Sequence, residues 1–141
     1  MKRRESDTTH SALTSGHRNF VCPGCGSKTL KIQKSIELGS DSRDDEYSLQ
    51  AISCKECGFV GVATYRESRR GAEESWDHCG YSMEDSNYEA FLKSLRKCRL
   101  RRKPSCTCKA HSHFGVKNEY GTLDPLDKIE FDKTRFAMRI R

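Results

Sequence analysis

Two cysteine pairs are the clearest sites of possible chemistry in this sequence. Residues 22–25 read Cys-Pro-Gly-Cys, residues 54–57 read Cys-Lys-Glu-Cys, and a glycine follows each pair. Two thiolates two residues apart bind one side of a metal ion, and the glycine allows the tight turn that points backbone amides at the sulfurs. The two pairs, with 28 residues between them, predict a tetrahedral zinc site whose ligands are Cys22, Cys25, Cys54 and Cys57. Two disulfides or a redox motif are the alternatives, although redox chemistry gives no reason for a matched second pair.

A second group of possible ligands follows the spacing Cys-x7-Cys-x-Cys-x2-His near residue 100. Three thiolates and one imidazole complete a tetrahedral shell. The group therefore predicts a second zinc ion, bound by Cys98, Cys106, Cys108 and His111. His113 is an alternative to His111, and Cys79 or His78 could enter the group if the chain folds back; otherwise Cys79 is expected to be a small buried residue. Iron is an alternative to zinc wherever four thiolates form the shell, so the metal stays open.

Neither group has the pattern of a catalytic metal site. A catalytic zinc ion keeps one position open for water and takes three protein ligands, whereas each group here supplies four. No glutamate lies beside the ligands as in His-x-Glu or His-Glu-x-x-His motifs, and no Ser/His/Asp set or phosphate loop is evident. We therefore expect two structural metals and no enzymatic activity; a metal-dependent enzyme is the alternative, and it would require a metal with only three protein ligands.

The composition explains why metal would be needed. Only 34% of the 141 residues are hydrophobic and 33% are charged, so the chain can bury little apolar surface. A structural zinc ion can add roughly 10–16 kcal/mol of apparent binding free energy to folding. The polar residues 1–7 do not resemble a signal peptide, and no apolar stretch is long enough to span a membrane. We expect a reducing compartment, the cytoplasm or the nucleus or nucleoid, with neither secretion nor membrane association.

The periodicity around the cysteine pairs predicts three strands. Residues 30, 32, 36 and 38 are apolar at even positions, which indicates a strand with one buried face. A second strand begins at Tyr47 and ends at the second cysteine pair, and a third covers 59–65. Cysteine pair, strand, turn, strand, cysteine pair and strand is the order of a zinc ribbon.

The rest of the chain predicts a helix and a hairpin. Ser86 and Glu89 match a capping box, and an apolar stripe follows at Tyr88, Phe91, Leu92 and Leu95. Alternation at 129–131 and 136–140 around a polar turn predicts a C-terminal β-hairpin. The expected fold is a small metal-stabilised α+β protein with an N-terminal three-stranded antiparallel zinc ribbon, one amphipathic helix, a second Cys/His zinc loop and the hairpin. Its segments are a flexible tail (1–18), the ribbon (19–66), a linker with an aromatic patch (67–84), the helix and Cys/His loop (85–114) and the hairpin (115–141).

A run of positive charge joins the helix to the second group. Between residues 93 and 103 no acidic residue interrupts seven cations, and the whole chain carries a net charge of +6. The predicted nucleic-acid-binding residues are Lys93, Arg96, Lys97, Arg99, Arg101, Arg102 and Lys103. Arginines and lysines on one surface can contact phosphates, although a solvated helix face or an acidic protein partner would also explain them. Trp76 and Tyr81 are expected to cover the ribbon sheet or, alternatively, to contact a protein partner.

The N-terminal pattern resembles a known family. Residues 20–26, Phe-Val-Cys-Pro-Gly-Cys-Gly, together with the second cysteine pair at 54–57, resemble the zinc-ribbon superfamily of transcription and translation proteins. Over residues 1–80, the basic start and Trp76-Asp77-x-Cys79 are also similar to the short zinc-ribbon transcription elongation factor of eukaryotes and archaea. The resemblance implies metal binding by the four cysteines and a role in transcription or translation. We expect a non-catalytic zinc protein that binds nucleic acid, or alternatively an adaptor that docks on a larger nucleic-acid machine.

Overall fold

A five-stranded antiparallel sheet is the centre of the molecule. The computed structural model describes residues 19–43, 45–68, 75–99, 101–103 and 106–140. The strands are β1 (Leu30–Ser40), β2 (Asp45–Cys54), β3 (Val60–Ser68), β4 (Ser75–Ser82) and β5 (Arg135–Ala137). They lie in the order β1-β2-β3-β4-β5, so each strand pairs with its neighbour in sequence. The predicted tail, 1–18, lies outside the described residues.

The predicted α+β class is confirmed, but the sheet is larger than a three-stranded ribbon. The three predicted strands correspond to β1, β2 and β3, which pair antiparallel in the expected order. Part of the predicted linker, Ser75–Ser82, is instead strand β4 and pairs along its length with β3. Residues 69–74 of that linker lie outside the described residues. The sheet therefore continues past the three predicted ribbon strands into β4 and β5.

The expectation of one buried face for β1 is wrong because the strand contains a bulge. Ile32 pairs with Ile52, but the next pair joins Lys34 to Ala51, which leaves Gln33 as an extra residue. One extra residue transfers the following side chains to the other face of the sheet. Ile32 accordingly packs in one hydrophobic cluster and Ile36 in the other.

Helix α1 (Asp85–Arg96) covers one face of the sheet and buries the predicted stripe at Tyr88, Phe91, Leu92 and Leu95. The predicted capping box is wrong, since the N-cap is Glu84 without a side-chain cap bond and Ser86 lies inside the first turn. Buried Met83 sets the helix start, because its amide donates to the carbonyl of Val60 at 3.0 Å and holds the preceding chain on the sheet. Helix α2 (Lys109–Phe114) and a 3-10 helix (Pro125–Lys128) follow.

The opposite face carries a smaller cluster that joins both ends of the described chain. Phe20, Ile52, Ala63, Tyr65 and Met138 are buried together there.

Of the helices in the described ranges, none has the length and apolarity that a membrane crossing requires.

The predicted C-terminal hairpin is wrong. Residues 129–131 form no strand, and the Phe131 ring packs edge-on against Tyr81 at 4.9 Å. The amide of Asp132 donates to the carbonyl of Ser82 at 2.8 Å. The chain then turns and β5 pairs with β4, because β4 offers an edge to which a strand can hydrogen-bond.

Candidate metal centres

The structure brings the first four predicted ligands together at one end of the sheet. Cys54 is the last residue of β2, and the bridge between Phe20 and Leu30 positions the first cysteine pair beside it. Their Sγ atoms all lie within 4.8 Å of one another. The separations are 3.5 Å for Cys22–Cys57 and 3.8 Å for Cys25–Cys54. Four sulfurs about 2.3 Å from one zinc ion would lie about 3.8 Å apart, so this spacing fits a tetrahedral shell.

Both cysteine pairs end in the tight turn that their glycines were expected to allow. Gly26 has φ of 77° and Gly58 has φ of 80°, a region that favours glycine. Their amides donate to the carbonyls of Cys22 at 2.8 Å and Cys54 at 3.0 Å. The amide of Gly24 also points at the Cys22 sulfur, at 3.3 Å. In the second loop, the amides of Glu56 and Cys57 also donate to the Cys54 sulfur, so each loop directs backbone N–H groups at a cysteine sulfur.

The protein surroundings divide these thiols into acidic and weakly acidic ones. Hydrogen bonds from the Ser27 amide and the Thr29 hydroxyl lower the pKa of Cys25 to about 6. Burial opposes ionisation of Cys54, but the Thr29 hydroxyl, 2.9 Å from its sulfur, and the amides of its own loop outweigh burial and lower its pKa. Burial raises the pKa of Cys22 to about 12. Deprotonation of Cys22 this close to the more acidic thiols of Cys25 and Cys54 would therefore require a nearby cation.

The second group forms where α1, a loop and α2 meet. Cys98 follows α1, Cys108 is the N-cap of α2, and His111 lies within α2. The ligand atoms of Cys98, Cys106, Cys108 and His111 all lie within 4.8 Å of one another. The Cys98 and Cys106 sulfurs are 3.9 Å apart, and the His111 Nδ1 is 3.3 Å from the sulfurs of both Cys98 and Cys108. A tetrahedral Cys3His zinc shell requires similar separations, of about 3.6–3.8 Å.

A backbone group orients the imidazole of this second group. The His111 Nε2 donates to the carbonyl of Glu37 in β1 at 3.0 Å. This bond fixes the proton on Nε2 and leaves the lone pair of Nδ1 facing the three sulfurs, which is the tautomer that a metal-bound histidine needs. Burial opposes ionisation of Cys108, but the amide and side chain of His111 lower its pKa to about 6.

The alternative ligands lie elsewhere. His113 is exposed and packs edge-on against Phe114 at 4.9 Å. Cys79 is buried, as expected, and its sulfur donates to the Asp77 carboxylate at 3.4 Å. The His78 Nε2 lies 2.6 Å from the Gln50 side-chain oxygen, and burial lowers the pKa of His78 to about 4. His111 is therefore the histidine that joins the three cysteines.

Two contributors to the metal groups were missed by sequence reasoning. Thr29 supplies a hydroxyl to the first group and Glu37 a backbone carbonyl to the second. Thr29 lies four residues beyond Cys25, which is a weak signal. A backbone carbonyl leaves no signal in the sequence at all, because every residue has one.

The basic run is largely on the surface but not on one helix. Helix α1 ends at Arg96, so the later cations lie in the loop that leads to the second group. Arg101 is half-buried: its guanidinium donates to the Cys98 carbonyl at 3.2 Å, and its own carbonyl accepts from the Glu37 amide at 2.8 Å. Six of the seven cations are exposed, namely Lys93, Arg96, Lys97, Arg99, Arg102 and Lys103.

The aromatic pair, Trp76 and Tyr81, separates into one exposed and one half-buried residue. Tyr81 is half-buried against Phe131. Trp76, the second residue of β4, is 67% exposed and covers no core. Comparison with models of known families, with curated proteins and with solved structures gave no match for this chain.

Proposed function

We propose that this protein holds two structural zinc ions and binds nucleic acid through the exposed cations around the second one. The observation that carries the proposal is the position of six exposed cations on the end of α1 and on the loop that the Cys98 and Cys106 ligands bracket. A metal ion there would hold the loop in one conformation. The cations would then meet a phosphate backbone with little loss of conformational entropy.

The donor sets support zinc as the metal. The first group has four thiols at the separations of a tetrahedron, which zinc and iron share. The second group has three thiols and an imidazole whose tautomer is already set by Glu37, and Cys3His is a common structural zinc shell. Four protein ligands leave no position for substrate water, which supports a structural and non-catalytic role for each ion.

The order of cysteine pairs and antiparallel strands supports assignment of the N-terminal part to the zinc-ribbon superfamily. Under this proposal, the protein acts in transcription or translation, and it resides in a reducing compartment where the cysteines stay free to bind metal. None of the eight cysteines, all of which lie in the described residues, forms a disulfide in the structure.

Salt-dependent binding of nucleic acid tests the proposal. Fluorescence anisotropy should show binding to DNA or RNA whose affinity falls steeply between two salt concentrations. Changing Arg96, Arg99 and Arg102 to glutamine should reduce the slope of log K against log salt by about 2–3, because each neutralised phosphate contributes about 0.7–0.9. The matched control changes Lys28, Lys31 and Lys55, which are also exposed, and should leave the salt slope unchanged. No binding, or binding that ignores salt, contradicts the proposal.

A second candidate function rests on Trp76. A tryptophan that is 67% exposed supplies a large apolar contact of the kind that dominates protein interfaces. The protein would then be an adaptor that docks on a nucleic-acid machine. A pull-down from nuclease-treated host lysate distinguishes the two functions: partners that survive nuclease and are lost with Trp76→Ala favour the adaptor.

A further inference from the structure

A cleft of about 790 Å³ opens beside the second metal group. The end of α1, helix α2 and the 3-10 helix form its walls, and its volume is typical of pockets that bind small molecules. Cys98 and Cys108 of the metal group form part of the lining. The cleft is therefore built on the metal-bound part of the fold.

The lining separates into an apolar floor and a cationic rim. Ala110, Phe114 and Val116 contribute apolar surface, and Val116 remains 52% exposed. Lys97, Lys109 and Lys128 are exposed and come from three different elements. Among the described residues that line the cleft, none is a carboxylate. This chemistry suits a ligand with a flat apolar body and a negative charge.

We propose that the cleft binds one unpaired nucleotide of a single-stranded nucleic acid, an inference that rests on the proposed function and specifies its substrate. The base packs against the exposed ring of His113 and the exposed side chain of Val116, while the buried Phe114 supports the ring of His113 from below. The flanking phosphates contact the three lysines. Aromatic rings bind bases of any sequence through their faces, so the cleft selects strandedness more than sequence.

A duplex nucleic acid cannot contact both the apolar floor and the lysine rim of this cleft. The bases of a duplex are stacked and paired inside the helix, so only its phosphates would reach the lysine rim. An unpaired strand can place a base on the apolar floor and its phosphates at the rim together. The cleft would therefore favour single strands, whereas the exposed arginines nearby would contact either form.

The test compares a labelled single strand of about ten nucleotides, as RNA and as DNA, with a duplex of the same sequence. Wild-type protein should bind the single strands at least about five-fold more tightly, the lower limit for stacking of one base. Changing Lys97, Lys109 and Lys128 to glutamine should lower the single-strand salt slope by about 2, at about 0.7 per phosphate. The control triple variant, with glutamine at Lys28, Lys31 and Lys55, should leave the salt slope for single-strand binding unchanged. His113→Ala should weaken single-strand binding about five-fold or more and leave duplex binding unchanged.

A measurement on the wild-type protein avoids any folding defect of the variants. A single-stranded RNA that carries 4-thiouridine should photo-crosslink to the peptide that contains residues 110–116. Crosslinks only outside the cleft, equal affinity for duplex, or equal affinity for polyglutamate of the same charge would each overturn the inference. Absence of binding to any nucleic acid would instead overturn the proposed function itself.

Discussion

Replacement of Cys98 by serine tests the second metal group against a control that the chain itself provides. Cys98 and Cys79 are both buried cysteines, 1% and 7% exposed. Only Cys98 lies in a four-ligand group, with its sulfur 3.3 Å from the His111 Nδ1 and 3.9 Å from the Cys106 sulfur. We expect Cys98→Ser to lose the second metal ion and Cys79→Ser to keep it.

The expected size of the effect follows from the number of ligands. Structural zinc binds zinc-finger peptides with about 10–16 kcal/mol of apparent free energy, so one ligand of four accounts for about 3 kcal/mol. That loss weakens zinc affinity by more than about 100-fold. Serine at Cys79 removes only a thiol that donates to Asp77, which its hydroxyl can replace. The control should therefore change zinc affinity by less than about three-fold, within the range of ordinary surface or isosteric effects.

Elemental analysis and cobalt substitution provide the assay. Wild-type protein should contain two zinc ions per chain, Cys98→Ser one and Cys79→Ser two. Competition with a chromophoric chelator gives the affinities. Cobalt in the second group should show the absorption of a Cys3His shell, and this spectrum should be missing from Cys98→Ser alone.

Three results would refute the reasoning. Cys98→Ser could retain two zinc ions at wild-type affinity, which would show that the sulfur does not ligate metal. Cys79→Ser could lose a zinc ion, which would show that burial, not ligation, determines metal content. Wild-type protein that contains no metal ion, or whose cobalt form lacks the Cys3His absorption, would remove the second site directly.

The remaining predictions concern a supporting hydroxyl, a buried histidine and an exposed tryptophan. Thr29→Val removes the 2.9 Å contact to the Cys54 sulfur and should weaken zinc at the first group by about 10–100-fold in chelator competition; an unchanged affinity would contradict this role. Burial lowers the pKa of His78 to about 4 from an ordinary 6.5, so its contribution to stability is complete above pH 6.5 and falls by up to about 3 kcal/mol as pH drops to 4. Denaturant melts should show a smaller loss of stability in this window for His78→Phe than for wild type, and parallel pH profiles would refute the assignment. Trp76→Ala should change the free energy of unfolding by less than about 0.5 kcal/mol, because this side chain is exposed; a loss of several kcal/mol would place Trp76 in the core.

The two groups of candidate metal ligands could be predicted from the sequence because their signal is local, in residue type and spacing. The thiols of Cys22 and Cys25 must face one point whatever surrounds them, since two intervening residues and a glycine leave few other turns. The stripe on α1 was equally accessible, because the period of Tyr88, Phe91, Leu92 and Leu95 depends only on helix geometry.

The features that sequence reasoning missed depend on distant parts of the chain. The extra residue Gln33 in β1 is defined only by its pairing with β2. The start of α1 is set by the bond between Met83 and Val60, which overrides the local capping signal of Ser86. β5 pairs with β4 rather than with residues 129–131, because β4 pairs with β3 along one edge and offers its other edge to a further strand. Alternation and capping patterns carry no information about such partners.

One residue of the edge strand β1, Glu37, connects the sheet to the second group of candidate ligands. The amide of Glu37 donates to the Arg101 carbonyl and its carbonyl accepts from the His111 imidazole. The loop that carries the ligands thus covers backbone groups of β1 that an edge strand would otherwise expose. In turn, the Glu37 carbonyl in β1 orients the His111 imidazole so that its Nδ1 faces the three sulfurs. Loss of the second metal should therefore expose this edge, and it should loosen the cationic loop at the same time. The cover of this sheet edge and the proposed binding surface would thus depend on the same four ligands, because a chain with 33% charged residues has little apolar surface with which to hold a loop.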